Sequence, residues 1–362
     1  MTLHRIRNLR EQFSTAGIDG LLVSSMSNIR YLTGFASDER DVATVLIGAT
    51  EAFLLTDYRF GEQAREQCGE VQIIVRDRAR QTLGQLVREL AAQCDIRQLG
   101  YERDHFLHGR WLNLAADLDT IAVKPLRGLV EKLRRRKEPA ELESMRRAAA
   151  IGDRALEQLL GLLQPGITER EAAVELECLL KRAGSEGLAF PTIFTSGART
   201  SRPHGMPSDR VLSRGDLITI DFGAIVDGYR SDMTRTFVLG KADSKQREIY
   251  ELVRRAQALG VESLRTGIPY SQPNATVNRF LAACPYAEYA GDSLGHGLGL
   301  DTHEQPYLST GFEELLEEDH VVTVEPGIYI PGWGGVRIED DVRLTGSGPE
   351  LLNNFSRELI EL

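Results

Sequence analysis

The segment TIDFGAIVDGYRSDMTRTF, residues 219–237, restricts the fold of this chain more than any other. Asp227-Gly228 is the strongest short-range signal for a β-hairpin, because a type I′ turn requires φ > 0 at both central residues. A two-residue loop pairs Val226 with Tyr229, and the same register carried along the strands sets Asp221 opposite Thr234. Asp232 lies two residues from Thr234 and shares its face. The two aspartates are then diagonal neighbours, roughly 7 Å apart by the usual cross-strand spacing. Two ionised carboxylates this close, on a face that should be buried, repel each other and are poorly solvated. They call for a cation between them. The alternative is a solvent-facing pair, with one aspartate salt-bridged to Arg230 or Arg235.

Three motifs downstream carry groups of the same kind. In DSLGHGLGLDTHEQP, residues 292–306, glycines allow close backbone approach around His296, and His303 follows seven residues later. In VVTVEPGIYI, residues 321–330, Glu325 follows four largely apolar strand residues, a poor place for an unpaired carboxylate. In GVRIEDDVRL, residues 335–344, the period of two sets Arg337 and Glu339 on one strand face and Ile338 on the other. Arg337 would orient a ligand carboxylate and offset its charge, or simply form a structural salt bridge. Asp221, Asp232, His296, Glu325 and Glu339 thus combine four carboxylates with one imidazole. Burying four negative charges takes about as much positive charge, which two divalent cations provide. Oxygen-rich ligation with one nitrogen and no sulfur favours Mn2+, with Co2+, Fe2+ or Zn2+ also compatible. Paired ions roughly 3.5–4 Å apart serve hydrolysis of a polar carbonyl, most often an amide.

The rest of the chain bounds the setting. Its 362 residues exceed what one core usually holds, so two domains are expected, 1–130 and 131–362. The first alternates strand and helix signals: ATVLIG and EAFLLTD as a hairpin, then VQIIV and IRQLGYE as strands around the helix QTLGQLVRELAAQ. It contains no Gly-rich phosphate loop. The basic run 133–137 reads as a solvated helix end between the domains. Pro139 opens one helix, and a capping box of Thr168 and Glu171 opens the next. From residue 185 the pattern is β-rich, with one more long helix capped at Ser244. A net charge of −10 argues against nucleic acid or anionic membrane as partners. No apolar run approaches the ~18 residues of a membrane span. The N-terminus MTLHRIRNLREQF lacks a secretory signal's apolar centre, and four scattered cysteines suit a reducing, cytoplasmic setting.

Taken in order, D-F-G, S-D-M-T-R-T-F, G-H-G-L-G-L-D-T-H-E, V-E-P-G and R-I-E-D resemble the pita-bread metallopeptidases, which include methionine aminopeptidase, aminopeptidase P and prolidase. The likeness covers about 135 to 362, and GIDGLLVSSMSNIRYLTGF in the other half is similar to the creatinase/prolidase-type N-terminal domain. The resemblance implies an α+β chain. An α/β domain would precede a catalytic domain whose curved antiparallel sheet holds metals in its concavity and helices on its outer face. It implies that Asp221 ligates one metal, His296 and Glu325 the other, and that Asp232 and Glu339 bridge. Glu325 would also take a proton from the nucleophilic water. His204, in TSGARTSRPHGMPSD, would contact substrate, and His303 would hydrogen-bond the scissile amide or stabilise the oxyanion. Many such relatives are homodimers.

Methionine aminopeptidases usually lack such an N-terminal domain, and creatinases lack the metal ligands. The combination points to the Xaa-Pro peptidases, which cleave before proline. An apolar or aromatic pocket should hold the proline ring, with Phe190, Tyr229, Tyr307 and Trp333 as candidates. The catalytic half is compact, with little insertion to wall off the exit, so the expected activity is an Xaa-Pro aminopeptidase. The alternative is an Xaa-Pro dipeptidase (prolidase), in which Arg199, Arg202 or Arg337 would hold the dipeptide's free carboxylate. A catalytically inactive, peptide-binding relative is a third reading, against which the complete ligand set counts.

Overall fold

The hairpin register holds in the computed structural model, which describes residues 2–362. Val226 pairs with Tyr229 and Asp221 with Thr234. Asp227 and Gly228 adopt φ of 49° and 80°, the left-handed values that this turn requires. The chain divides into two units, one ending at Arg134 and the other spanning Arg135–Leu362.

In the first unit, Gly20–Val23 (β1), Thr44–Ile47 (β2), Ala52–Asp57 (β3), Gln72–Arg76 (β4), Gln98–Glu102 (β5) and Ala122–Leu126 (β6) form one mixed sheet. Its order is β4-β3-β2-β1-β5-β6, with the expected β2–β3 hairpin. The helix Leu83–Gln93, started by a capping box of Thr82 and Gln85, lays Leu86, Val87 and Leu90 against Leu22, Phe53 and Leu99. Each such fully buried side chain contributes roughly 1.5–3 kcal/mol relative to exposure.

The second unit is antiparallel throughout its named sheets. Its strands are Ile193–Ser196 (β7), Leu217–Phe222 (β8), Ile225–Val226 (β9), Tyr229–Arg230 (β10), Met233–Val238 (β11), Gly295–Gly297 (β12), Glu304–Leu308 (β13), Val321–Val324 (β14), Gly327–Ile330 (β15), Gly334–Arg337 (β16), Asp340–Thr345 (β17) and Gly348–Leu351 (β18). One sheet has the order β11-β8-β7 and another β13-β12-β14-β17-β18, with β9–β10 and β15–β16 as separate pairs. The helices Pro139–Leu160 and Glu169–Arg182 cover the first sheet, packing Leu156, Leu176 and Leu180 with Ile218, Ile220 and Phe222. The helices Ser244–Ser263 and Ser271–Ala282 pack Val253 and Val277 with Val322 and Val324 of the second. On β8 the residues 218, 220 and 222 therefore meet helices, and Thr219 and Asp221 point to the opposite, equally buried face.

Two local expectations need correction. Asp243, not Ser244, caps its helix: its carboxylate accepts from the Gln246 N–H at 2.8 Å, and the Gln246 side chain accepts from the Asp243 N–H at 2.9 Å. The basic run is solvated only in part: Arg136 is exposed, whereas Arg134 and Lys137 are buried. Arg134 donates to Asn28 Oδ1 at 2.7 Å within the first unit, and Lys137 forms an ion pair of 2.7 Å with Glu304 within the second. No helix of the described residues is long and apolar enough to cross a membrane.

His320, at the start of β14, is buried and its Nδ1 accepts the Glu317 N–H at 3.2 Å. Burial, and then the charges of Lys137, Arg135 and Arg136, depress its pKa to about 3. Between that value and the unfolded value near 6.5, only the unfolded chain binds this proton, so stability should rise with pH through the window and level off above it. Chemical denaturation from pH 3 to 7 should show this, and His320→Asn should remove roughly 3–5 kcal/mol of the rise. An unchanged slope in the variant would assign the effect elsewhere.

Candidate metal centre

The polar face of the β8–β11 pair meets the ends of three other strands. Asp221 lies on β8, Asp232 just before β11, His296 in β12, Glu325 just after β14 and Glu339 between β16 and β17. Asp232, His296 and Glu339 each present a ligand atom, all within 4.8 Å of one another. His296 Nε2 lies 3.2 Å from Glu325 Oε1 and 3.9 Å from Asp232 Oδ2. These residues open into a cavity of about 220 Å³, lined also by Phe190, Pro191, His204, Met206 and His303. The rings of His296 and His303 are 4.2 Å apart between centroids. The five candidate ligands, His204 and His303 thus line one cavity, with Arg337 bonded to Asp221 behind them.

Arg337 supplies part of the positive charge that the aspartates call for, on the side of Asp221. Its Nη2 donates to Asp221 Oδ2 at 2.5 Å, its Nε to Thr234 Oγ1 at 2.9 Å, and its Nη1 to Pro203 O and the Tyr329 hydroxyl, each at 3.1 Å. Thr234 passes the polarity on, donating to Glu339 Oε2 at 2.5 Å. Arg230 and Arg235 do not pair with either aspartate: Arg230 donates to the carbonyls of Leu300 and Ala189, and Arg235 pairs with Asp340. Thr323 Oγ1 accepts the His296 N–H at 3.1 Å and donates to Glu325 at 3.0 Å. The Asp232 N–H donates to Asp341 Oδ2 at 2.9 Å. Sequence reading gave no role to Thr234, Thr323, Tyr329 or Asp341. The period of two could have found them, since 323 precedes 325 by two residues and 341 follows 339 by two.

Three of the four carboxyls titrate above their ordinary range. Burial raises Asp232 most, followed by repulsion from Glu339, Asp221 and Asp341. Burial also raises Glu339, with Glu325 and Asp221 adding to it, and raises Asp221 despite the neighbouring Arg337. Glu325 ends low: burial pushes it up, but the His296 contact and charge more than offset this. His296 is raised in turn, the carboxylate of Glu325 overcoming burial. His303 is lowered by burial and by the His296 charge.

This donor set fits divalent ions. Asp221 Oδ1 is buried and has no hydrogen-bond donor among the described residues. The Nδ1 of His296 faces Gly297 O at 3.1 Å, which leaves Nε2 aimed into the carboxylates. Sulfur donors are absent from the cluster, as hard cations prefer. The aromatic candidates fare less well. Phe190 lines the cavity, whereas the Tyr229 hydroxyl donates to Glu141, Tyr307 packs on Phe312 and Trp333 lies under Lys245.

Comparison with known proteins matches this arrangement. Residues 143–346 fit the model of metallopeptidase family M24, and residues 5–136 that of the creatinase/prolidase N-terminal domain. The chain is 35% identical to a protein of Pyrococcus horikoshii described as an Xaa-Pro dipeptidase, over 98% of each chain. A solved structure of an Xaa-Pro dipeptidase from Bacillus anthracis superposes with a TM-score of 0.95 at 37% identity, covering 100% of both chains. An X-Pro aminopeptidase structure from Thermotoga maritima gives 0.91 at 30% identity, over 99% of both. With its α+β pita-bread catalytic unit, its creatinase-type N-terminal unit and a buried cluster suited to metal, the chain belongs to metallopeptidase family M24.

Proposed function

We propose that this metallopeptidase is an Xaa-Pro dipeptidase, which hydrolyses the bond before proline in dipeptides, with two divalent ions held by Asp221, Asp232, His296, Glu325 and Glu339. The observation that carries the reading is the end-to-end likeness, through both domains, to proteins described as Xaa-Pro dipeptidases. The cavity of about 220 Å³ supports it, being smaller than the ~300–1,000 Å³ of pockets for drug-sized ligands. The aminopeptidase expectation rested on a compact catalytic half, and chain length does not say how deep a cavity is. Mn2+ is the ion that this donor set favours, and a cytoplasmic homodimer completes the reading by family resemblance.

Divalent ions at this site would supply Lewis acidity, activating water and polarising the scissile carbonyl. The protein's own groups handle the protons and the substrate. Glu325 is ionised at neutral pH and its side chain is 25% exposed, so it can take the proton of the attacking water and pass it to the leaving proline nitrogen. His303, kept neutral, offers a hydrogen bond where negative charge develops on the carbonyl oxygen. His204 contacts the substrate from the cavity wall, beside the apolar surface of Phe190, Pro191, Ile193 and Met206 that suits a proline ring. Arg337, engaged by four partners, holds Asp221 rather than substrate.

One observation favours the aminopeptidase reading. A groove of about 730 Å³ shares Phe190, Pro191 and Met206 with the cavity and gives a longer peptide somewhere to lie. Assays of Ala-Pro and Ala-Pro-Ala with Mn2+ separate the two. Cleavage of Ala-Pro alone is expected, cleavage of both would establish the aminopeptidase, and cleavage of neither with metal bound would leave only binding. Asp232→Asn should lower kcat/KM at least about 10³-fold, roughly 4 kcal/mol.

The electrostatics give a second test. Metal-free Asp232→Asn should be at least as stable as metal-free wild type at pH 7, because it removes a buried repulsion. Ion at 100 times its dissociation constant should stabilise wild type by about 2.7 kcal/mol, and the variant by less. Urea midpoints with and without Mn2+ read both; an equal increment would remove Asp232 from the ligand set.

A further inference from the structure

Glu169 is a fully buried carboxylate far along the chain from the metal cluster, and the chemistry above does not use it. It is the first residue of the helix Glu169–Arg182, directly after the Thr168 cap. Its two oxygens reach the two arms of one loop. Oε1 accepts from Ser196 N at 2.7 Å and Ser196 Oγ at 2.8 Å, at the end of β7. Oε2 accepts from Ser208 N at 3.0 Å and Ser208 Oγ at 2.6 Å, on the returning arm. Arg199 Nε spans both oxygens at 3.3 and 3.1 Å, and its Nη2 donates across the loop to Met206 O at 2.7 Å.

The loop closed in this way, 197–207, carries His204 into the cavity. Its tip is pinned from the metal side, where Arg337 Nη1 donates to Pro203 O. The next residue after His204 is packed tight: a Cβ on Gly205 would lie 2.4 Å from the Thr195 methyl. His204 itself is exposed. Its position therefore depends on the backbone, which Glu169 ties at the base beside Arg210, whose Nη1 donates to Ser196 Oγ at 2.6 Å, and which is held further along by the Gly335 N–H on Thr200 Oγ1 and by Arg337 on Pro203 O. A buried carboxylate costs several kcal/mol unless it is fully hydrogen-bonded, and here every bond goes to this loop.

We propose that Glu169 is a positioning residue for the reaction: by tying Ser196, Arg199 and Ser208 together it fixes the loop that presents His204 to the substrate. The proposal rests on the reading of His204 as a substrate contact. In Glu169→Gln, one acceptor oxygen becomes a donor facing donors, so one arm is released while volume is kept.

The test combines kinetics on whichever Xaa-Pro substrate wild type cleaves with a direct readout of the loop. Glu169→Gln should keep the wild-type metal stoichiometry, lose about 10–100-fold in kcat, and become susceptible to trypsin at Arg199 under conditions where wild type is not cut. In a His204→Ala background the same substitution should cost no more than about 2-fold, since residues acting as one unit are not additive. Ser208→Ala, which removes the hydroxyl's bond to Glu169 and its acceptance of the Arg210 N–H but leaves the other Glu169 bonds in place, should move each readout in the same direction by less and serves if Glu169→Gln fails to fold. Equal losses in the two backgrounds, a reduced metal content, or a crippled His204→Ala enzyme beside an unimpaired Glu169→Gln would overturn the proposal. A fully active His204→Ala enzyme would sink the substrate-contact reading, and the proposal with it.

Discussion

Mutual repulsion among buried carboxylates governs this molecule's catalytic unit. Asp221, Asp232, Glu325 and Glu339 share one poorly solvated volume, and the surrounding residues are arranged to make that tolerable. Arg337 contributes a fixed positive charge, the hydroxyls of Thr234 and Thr323 donate without adding charge, and His296 offsets Glu325. The remaining imbalance leaves Asp232 and Glu339 holding protons more tightly than carboxyls normally do. Ions entering such a cluster displace those protons, so metal affinity and acidity are linked from the outset.

The strands had to be buried on both faces for this to work. On β8, Ile218, Ile220 and Phe222 meet the covering helices, and the alternate positions face the cluster. Apolar packing against the helices supplies the driving force that carries the aspartates inside. A one-sided sheet would leave them in water, where they would bind metal less selectively and shield no substrate.

Much of this was legible because it is local. The Asp227-Gly228 turn and the alternation along β8 and β11 depend on residues a few positions apart, and the structure keeps that register; His296, Glu325 and Glu339 each stand out within their own short motif. What the chain does not announce is which distant groups meet. Arg230 and Arg235 were the nearest arginines in sequence to the aspartates, yet Arg337 pairs with Asp221 from more than a hundred residues away. Lys137 looked solvated because it belongs to a basic run, while its partner Glu304 lies far downstream. Glu169 stands in the first turn of its helix, where an acid is favourable in any case, and only the fold brings Ser196 and Ser208 to it. Of the aromatic candidates Phe190 lines the cavity, whereas Tyr229, Tyr307 and Trp333 lie elsewhere for the same reason, since a tyrosine's ring can fill a core anywhere that its hydroxyl finds a partner, as Tyr229 does with Glu141.

The turn at Asp227-Gly228 has a consequence for how chains of this kind can vary. It lies outside the cavity, and Asp227 is exposed. A surface turn of this sort normally tolerates insertions freely. Here the two strands it joins carry ligand candidates on the same face, so the loop sets a parity. One added residue that shifts the pairing would send Asp232 to the helix side and bring Ser231 or Met233 into its place, whereas two could preserve every facing. Length changes at this exposed spot are therefore permitted in steps of two, and an odd change has to be absorbed by a bulge before the strand reaches Asp232.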